Sequence, residues 1–423
     1  KEKKETPDSL SSLQTLIIST ATRVGMGNLV GVVAAVSLGG AGAVFWMWVT
    51  ALLGASTAFV EAALAQKYKE PDPLYGGYHG GPAYYIHHFV EAKTGKTLRH
   101  SLTASLFAIS GLICWCGISQ VISNSVSSAF ANAFRVPPIV TTILLVLLAA
   151  VIVLRKNATI KVLDIMVPIM AVGFFLLTLF IILVNLPKLP SVFSRIFSEA
   201  FGMRQAVSGG FGAVLMNGVK RGLFSNEAGS GSAPCAAAAA DEKEPVKMGL
   251  IQALGVFIDT IVICTLTALV ILCVGRESAL TVGGRVVWPM TAGHAAAESQ
   301  SLQAGLDGAA LTSFCFTKIL GRFGGILVSG SMASFAFATI LGWYYIGRQM
   351  FSYLAERLCS GADAEYFYTI LYLLAVWLGC VCRLDLVWIV SDLVNCLMAY
   401  PNLLTLWLLA GKVRFPEINR KVS

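Results

Sequence analysis

The feature that most constrains this chain is a succession of apolar stretches, each long enough to cross about 30 Å of hydrocarbon, divided by short polar segments. Apolar runs read against polar punctuation give ten spans, near 12–39, 41–65, 102–132, 137–154, 159–185, 204–240, 246–275, 322–354, 365–382 and 385–410. Only 13% of the 423 residues are charged and 56% are hydrophobic, whereas soluble chains carry about 25% charged residues. In water such a chain would have too little polar surface to cover itself. In lipid an outward-facing Leu, Val, Ile or Phe is the preferred surface, so the expected class is an all-α integral membrane protein.

The formal charge of +8 does not indicate nucleic acid, because the 31 Lys and Arg residues are scattered in short groups between apolar runs. With the N-terminus in the cytoplasm, the inside segments hold nineteen Lys and Arg and the outside segments eight. The positive-inside rule therefore predicts cytoplasmic N- and C-termini, and a plasma (inner) membrane location is expected alongside. Residues Lys1–Asp8 are too polar for a signal peptide, and the first residue is not Met, so an upstream segment is expected.

Two spans are interrupted in the same way. The first carries Gly25, Gly27 and Gly31 near its middle, and the sixth carries Gly209, Gly210, Gly212, Gly218 and Gly222. An offset of five spans makes them the first members of two five-helix halves, and an odd number of spans per half forces opposite topologies. The expected architecture is two inverted repeats, 1–188 and 189–410, with a tail 411–423 and with the first and sixth helices broken at mid-membrane. Paired breaks of this kind point to a transporter binding site at the midplane; close packing of helices through small residues is the competing reading.

The residues at these breaks suit an ion and a zwitterion. An unwound backbone around Ser19–Asn28 frees carbonyls for a bare cation and amides for a carboxylate. Asn28 adds a side-chain carbonyl, although an Asn can equally tie two helices together. In span 6, Leu215 to Gly218 fall near mid-membrane, and Lys220, Arg221 and Glu227 must face protein or a water-filled cavity, so a cytoplasmic gate or a fixed brace is expected of them. Asp259 in span 7 is deep in the bilayer and can be a Na+ ligand, a proton acceptor or the partner of Arg23. Arg23 itself can repel a coupling cation or replace it.

Thr339 in span 8 offers a hydroxyl, and Trp343 a pocket wall or simple packing. Gln120, Asn124 and Ser125 share a face of span 3. Glu61, beside Lys67 and Lys69, reads as an interfacial anchor.

Other chemistries lack their signatures. There is no Gly-x-x-x-x-Gly-Lys-Ser/Thr phosphate loop and no Thr-Val-Gly-Tyr-Gly filter, which argues against ATP-driven transport and a K+-type pore. Most of the ten cysteines, Cys114, Cys116, Cys264, Cys273, Cys315, Cys380, Cys382 and Cys396 among them, sit in apolar runs as small packing residues. The pairs Cys114/Cys116 and Cys380/Cys382 lack C-x-x-C spacing, and His79, His87, His88, His100 and His294 lie in loops or interfacial segments. No transition metal, no cofactor, no enzymatic nucleophile–base set and no obligate protein partner are therefore expected.

Several segments together resemble one family, the alanine or glycine:cation symporters: Val24–Asn28, Gly42–Thr50, Gly80–Tyr85, Arg221–Gly229, Gly255–Thr260, Ile340–Tyr345 and Pro401–Leu403. The resemblance implies a leucine-transporter-like fold of two inverted repeats that binds alanine or glycine between the broken helices with Na+, or H+ in some members, as coupling ion. Carried over position by position, it implies first-helix substrate and ion contacts at Gly25, Gly27 and Asn28, sixth-helix contacts at Asn217 and Gly218, and a second ion ligand at Thr339. With the residues read above, the expected substrate contacts are Gly25, Met26, Gly27, Gln120, Asn217, Gly218 and Trp343, and the expected Na+ ligands Val24, Asn28, Asp259 and Thr339. The family pattern has Thr where Met26 stands and a hydroxyl residue where Ala338 stands, so Met26 narrows or shifts the pocket and Ala338 removes one oxygen. It also carries a further helix ahead of the first span. The expected function is import of a small neutral amino acid with Na+ by alternating access, against an H+-coupled transporter of another solute or a transporter-like membrane sensor.

Overall fold

A computed structural model describes residues 10–25, 27–72, 77–134, 136–155, 158–201, 210–275, 280–282, 285–287, 316–317, 319–358, 363–381 and 384–413. Among the described residues the structure is helical apart from two short antiparallel strand pairs, β1 (Glu70–Pro71) with β2 (Tyr78–His79), and β3 (Leu280–Val282) with β4 (Arg285–Val287). Helix α1 (Ser12–Arg23) opens on a capping box in which the Ser11 side chain accepts from Gln14 N and the Gln14 side chain accepts from Ser11 N. A π-helical turn at Gly27–Gly31 leads into α2 (Val32–Gly39), and the two parts of this first stretch are bent by 59°. Then follow α3 (Gly42–Lys67), α4 (Pro82–Thr94), α5 (Leu102–Phe134), α6 (Pro138–Val153), α7 (Ala158–Val184) and α8 (Leu189–Ala200). The second half holds α9 (Gly210–Asn226), α10 (Ser232–Ala238), α11 (Pro245–Val256), a π-helical stretch Phe257–Cys264, α12 (Thr265–Gly275), α13 (Arg322–Leu358), α14 (Asp363–Val381) and α15 (Leu384–Leu409).

Among the described residues five helices are long and apolar enough to cross a membrane, Gly42–Lys67, Leu102–Asn124, Ala158–Val184, Pro245–Val274 and Leu393–Lys412, and the bent first pair makes a sixth. Ile139–Val153 and Tyr366–Gly379 are apolar but shorter.

The distribution of side chains is inverted relative to a soluble protein. Leu144 and Leu147 on α6 and Ile165, Ile169 and Leu176 on α7 are exposed, while Arg23, Glu61, Glu227 and Asp259 are buried. Apolar groups facing outward cost nothing in lipid, and charged groups are tolerated only inward.

Helix α3 is the scaffold of one side, packed against α8, α9, α10 and α11; α5 is the scaffold of the other, packed against α13, α14 and α15. Small residues set the α3–α9 distance: a Cβ on Gly218 would sit 2.5 Å from Ala43 O, and one on Gly222 would sit 3.0 Å from Thr50 Cβ.

Candidate functional site

The first helical stretch breaks where the apolar pattern meets glycine. Helix α1 ends at Arg23, with the Val24 amide donating to Thr20 O at 2.7 Å. The break is held against α13 by Thr339, whose hydroxyl lies 3.0 Å from Ala21 O and 2.7 Å from Phe335 O. Glycine at position 25 permits this approach, because a Cβ there would come within 2.5 Å of Thr339 Oγ1 and force it to shift. Thr339 thus meets the backbone of α1's last turn at Ala21 and stands directly beside Gly25. Ala338, beside Thr339, is buried and contributes no hydroxyl.

The second interruption is not where the glycine cluster suggested. Helix α9 runs unbroken through Asn217 and Gly218, whose absent side chain is what admits α3, so the small-residue packing reading holds for that stretch. The chain departs from helix at Glu227–Gly231, where Glu227, Gly229 and Gly231 have φ of 55°, 85° and 83°. A non-glycine residue in the left-handed region is held by its surroundings. Here the Asn226 side-chain oxygen accepts from Ala228 N at 3.0 Å. Glu227 Oε2 is bonded by Ser232 Oγ at 2.6 Å and by Thr22 Oγ1 at 3.1 Å. One carboxylate thus ties the two breaks together.

Glu61 is a second tie, and it is not the interfacial anchor its neighbours Lys67 and Lys69 implied. It is fully buried, accepting from Gly229 N at 3.1 Å and from Asn402 Nδ2 at 2.6 Å. Asn402 also donates to Gly229 O at 3.0 Å and accepts from the Tyr85 hydroxyl.

Asp259 is 1% exposed and lies in the π-helical stretch, a form that recurs at functional sites because its extra residue turns side chains out of helical register. Its Oδ1 accepts from Asn28 Nδ2 at 2.6 Å, and its Oδ2 from Ser225 Oγ at 2.7 Å and Thr260 Oγ1 at 2.8 Å. Asn28 Oδ1 is buried with no hydrogen-bond partner. Arg23 is 2% exposed and bonds Gln252 Oε1 at 3.2 Å through Nη1 rather than Asp259, leaving Nε and Nη2 without partners. Around the breaks lie three buried carboxylates, Glu61, Glu227 and Asp259, with the buried Arg23 guanidinium and a second guanidinium, Arg221, on the cavity wall.

A cavity of about 110 Å³ opens between these elements, lined by Thr22, Arg23, Gly27 and Glu227 from the breaks and by Trp115 and Trp343 from α5 and α13. One water needs about 10–15 Å³ of such space, so the cavity takes a small solute. The two indoles stack at 5.7 Å with 28° between their planes and form an apolar wall. Trp343 Nε1 has no hydrogen-bond partner.

Of the residues expected from the sequence, Gly27, Arg221, Glu227, Thr339 and Trp343 line this cavity. Gly25 and Val24 adjoin it at the first break, and Asn28 and Asp259 form the bonded cluster at the Gly27–Gly31 turn. Three expected substrate contacts are engaged elsewhere. Gln120 packs against Gly379, Asn217 donates to Ala213 O of its own helix at 2.9 Å, and Gly218 faces α3. Lys220 is exposed rather than turned toward the breaks. Met26, Gly209 and His294 lie outside the described residues.

Thr22, Trp115, Ser225, Gln252 and Asn402 were not singled out by sequence. Ser225 and Asn402 do fall inside segments that carried the family resemblance, and Thr22 stands one residue before Arg23.

The profile of the sodium:alanine symporter family matches residues 1–416. The chain is 38% identical over 407 residues to the sodium/alanine symporter AgcS of Methanococcus maripaludis, covering 96% of this chain and 83% of that protein. It is 36% identical over 412 residues to the amino-acid carrier protein AlsT of Bacillus subtilis, covering 97% and 80%. A manganese transporter of Eremococcus coleocola superposes with a TM-score of 0.58 at 12% identity, over 95% of this chain and 77% of that one, a likeness of fold alone. A bent first stretch, polar buried ties and an outward apolar surface agree with these matches. The chain is a multi-pass membrane transport protein, not an enzyme, and it belongs to the sodium:alanine symporter family.

Proposed function

We propose that the chain imports a small neutral amino acid, alanine or glycine, together with Na+ by alternating access. In this reading the ten apolar stretches are ten spans, arranged as inverted halves 1–188 and 189–410 followed by the tail 411–423, in the plasma (inner) membrane with both termini cytoplasmic. The single observation that supports it most is the meeting of two interrupted helices at one small cavity, through the Thr22–Glu227 bond.

The residues divide the work by chemistry. Na+ is a hard cation that takes oxygen ligands, which Asn28 Oδ1, the Asp259 carboxylate and Ser225 supply at one point and Thr339 with the α1 carbonyls at another. The amino acid occupies the neighbouring cavity, its carboxylate toward the amides that follow the first break and its ammonium toward Glu227 and the freed carbonyls beside it. The Trp115–Trp343 wall limits side-chain volume. Filling both sites orders the breaks, and opening toward the cytoplasm then loosens the ties at Glu227 and Glu61. H+ coupling is the second reading, favoured by the same buried carboxylates. Reconstituted chain in proteoliposomes separates the two: labelled alanine or glycine should accumulate under an imposed Na+ gradient, whereas accumulation under a proton gradient alone would sink the Na+ reading.

A further inference from the structure

Outside the cavity, the hairpin after α3 carries a second group of polar side chains. Its two-residue ladder pairs Glu70 with His79, and directly opposed residues of an antiparallel pair share a face. The last turn of α13 brings Glu356 to that face, with Oε1 3.4 Å from His79 Nδ1. One ligand atom from each of Glu70, His79 and Glu356 lies within 4.8 Å of the others. At the rim, His88 of α4 brings Nε2 to 3.2 Å from Glu70 Oε1. His79 is buried against Tyr84, ring centroids 4.9 Å apart, while Glu356 and His88 reach water.

We propose that Glu70, His79 and Glu356, with His88 as fourth ligand, form a regulatory site for a divalent transition-metal ion of the zinc class. Imidazole nitrogen and carboxylate oxygen bind zinc at about 2.0–2.2 Å, so the ligand atoms of a tetrahedral site lie about 3.4 Å apart. Two of the contacts stand at 3.2 and 3.4 Å and the Glu70, His79 and Glu356 ligand atoms within 4.8 Å of one another, so a bound ion requires the half-exposed Glu70 and His88 and the exposed Glu356 to rotate inward. Calcium and magnesium take all-oxygen shells of about six or more ligands, whereas two imidazoles select the softer ions. The neighbouring charged groups are engaged: Lys69 donates to Gln66 Oε1 and Ala240 O, each at 2.7 Å, and Arg348 pairs with Asp72 at 3.7 Å. Glu91 faces His88 Nδ1 at 3.4 Å and orients it, and His87 is held by the Tyr353 hydroxyl at 2.8 Å.

The consequence runs along α13. This single helix carries Thr339 and Trp343 to the cavity and Glu356 to the hairpin, about 20–25 Å apart along the axis at about 1.5 Å per residue. A metal bridging Glu356 to the hairpin fixes one end of a helix that forms a wall of the transport site, and uptake slows.

The test uses the purified full chain, stripped with chelator and titrated with Zn2+ alone against a chromophoric competitor. Wild type should bind one Zn2+ saturably, and His79→Ala and Glu356→Gln should each weaken binding by more than about tenfold. His100→Ala, an exposed residue outside the cluster, should change nothing. Co2+ should give the visible bands of a tetrahedral site, lost in Glu356→Gln. That variant, near water, carries the test if His79→Ala does not fold by gel filtration. Absence of saturable binding, or binding unchanged in both variants, overturns the site. So does a cluster that titrates with pH but binds no metal, which would make it a proton held between carboxylates. Binding without slower alanine uptake overturns the regulatory role. The binding readout stands whatever the coupling ion proves to be.

Discussion

Asn28 shows how one side chain can carry an ion-site reading. Its Nδ2 donates to Asp259, and its Oδ1 is buried without a partner, aimed where a cation would find a neutral oxygen beside a carboxylate. A hydrogen bond to a charged group contributes about 1.5–3 kcal/mol, so Asn28→Ala should raise the Na+ concentration for half-maximal uptake roughly 10–100-fold. An unchanged Na+ dependence in proteoliposomes would remove Asn28 from the ion site. Asp259→Asn keeps the shape and loses the charge, so its expected effect is the same loss of Na+ dependence with little change in thermal unfolding; full wild-type coupling would count against it. Both residues were legible because an amide at a glycine break and a lone carboxylate deep in an apolar run are unusual on their face. Thr22, Ser225 and Gln252 were not, since hydroxyls and amides in helices most often serve only their own backbone. Their partners sit more than thirty residues away in sequence.

At the scale of elements, the sequence located two broken helices but placed the second break about ten residues early. The reason is that glycine has two uses. Gly218 and Gly222 lie in unbroken helix and let α3 approach, whereas Gly229 and Gly231 supply the positive φ that turns the chain. Composition cannot separate these uses; only the neighbouring helix does. Gly218→Val should therefore act through packing: added atoms in a filled interface cost about 1–3 kcal/mol, read as a lowered Tm by tryptophan fluorescence in detergent. The control is Gly173→Val on α7, where a Cβ would meet nothing within 4 Å. Equal Tm values for the two variants would refute close packing at Gly218. Gly231→Ala tests the other use, because its φ is 83° and its Cβ would lie 2.6 Å from Phe107 Cζ and Pro82 Cγ. It should reduce uptake while leaving the protein in the membrane, and normal uptake would mean that the break tolerates distortion.

For the whole molecule, the apolar surface and the polar interior follow from one cause, the exchange of water for lipid as solvent, which is why composition alone revealed the class. Charge balance inside the protein was not legible, since it depends on which distant residues meet. Three buried carboxylates gather at the breaks with two guanidiniums, Arg23 buried and Arg221 on the cavity wall, and the proposed Na+ coupling has a consequence for the complete transport cycle. An amino-acid zwitterion brings no net charge, so a cycle that carries Na+ inward moves positive charge across the membrane. One elementary charge is worth about 2.3 kcal/mol per 100 mV, which corresponds to roughly fiftyfold greater accumulation at equilibrium for a one-to-one complex. Proteoliposomes loaded with K+ and treated with valinomycin generate an inside-negative potential without altering the Na+ gradient. Alanine uptake should rise under that potential and fall when it is reversed. Uptake indifferent to potential would require a compensating charge to move outward in each cycle, and a cation at the proposed Asn28–Asp259 site could not then be the net driver of transport.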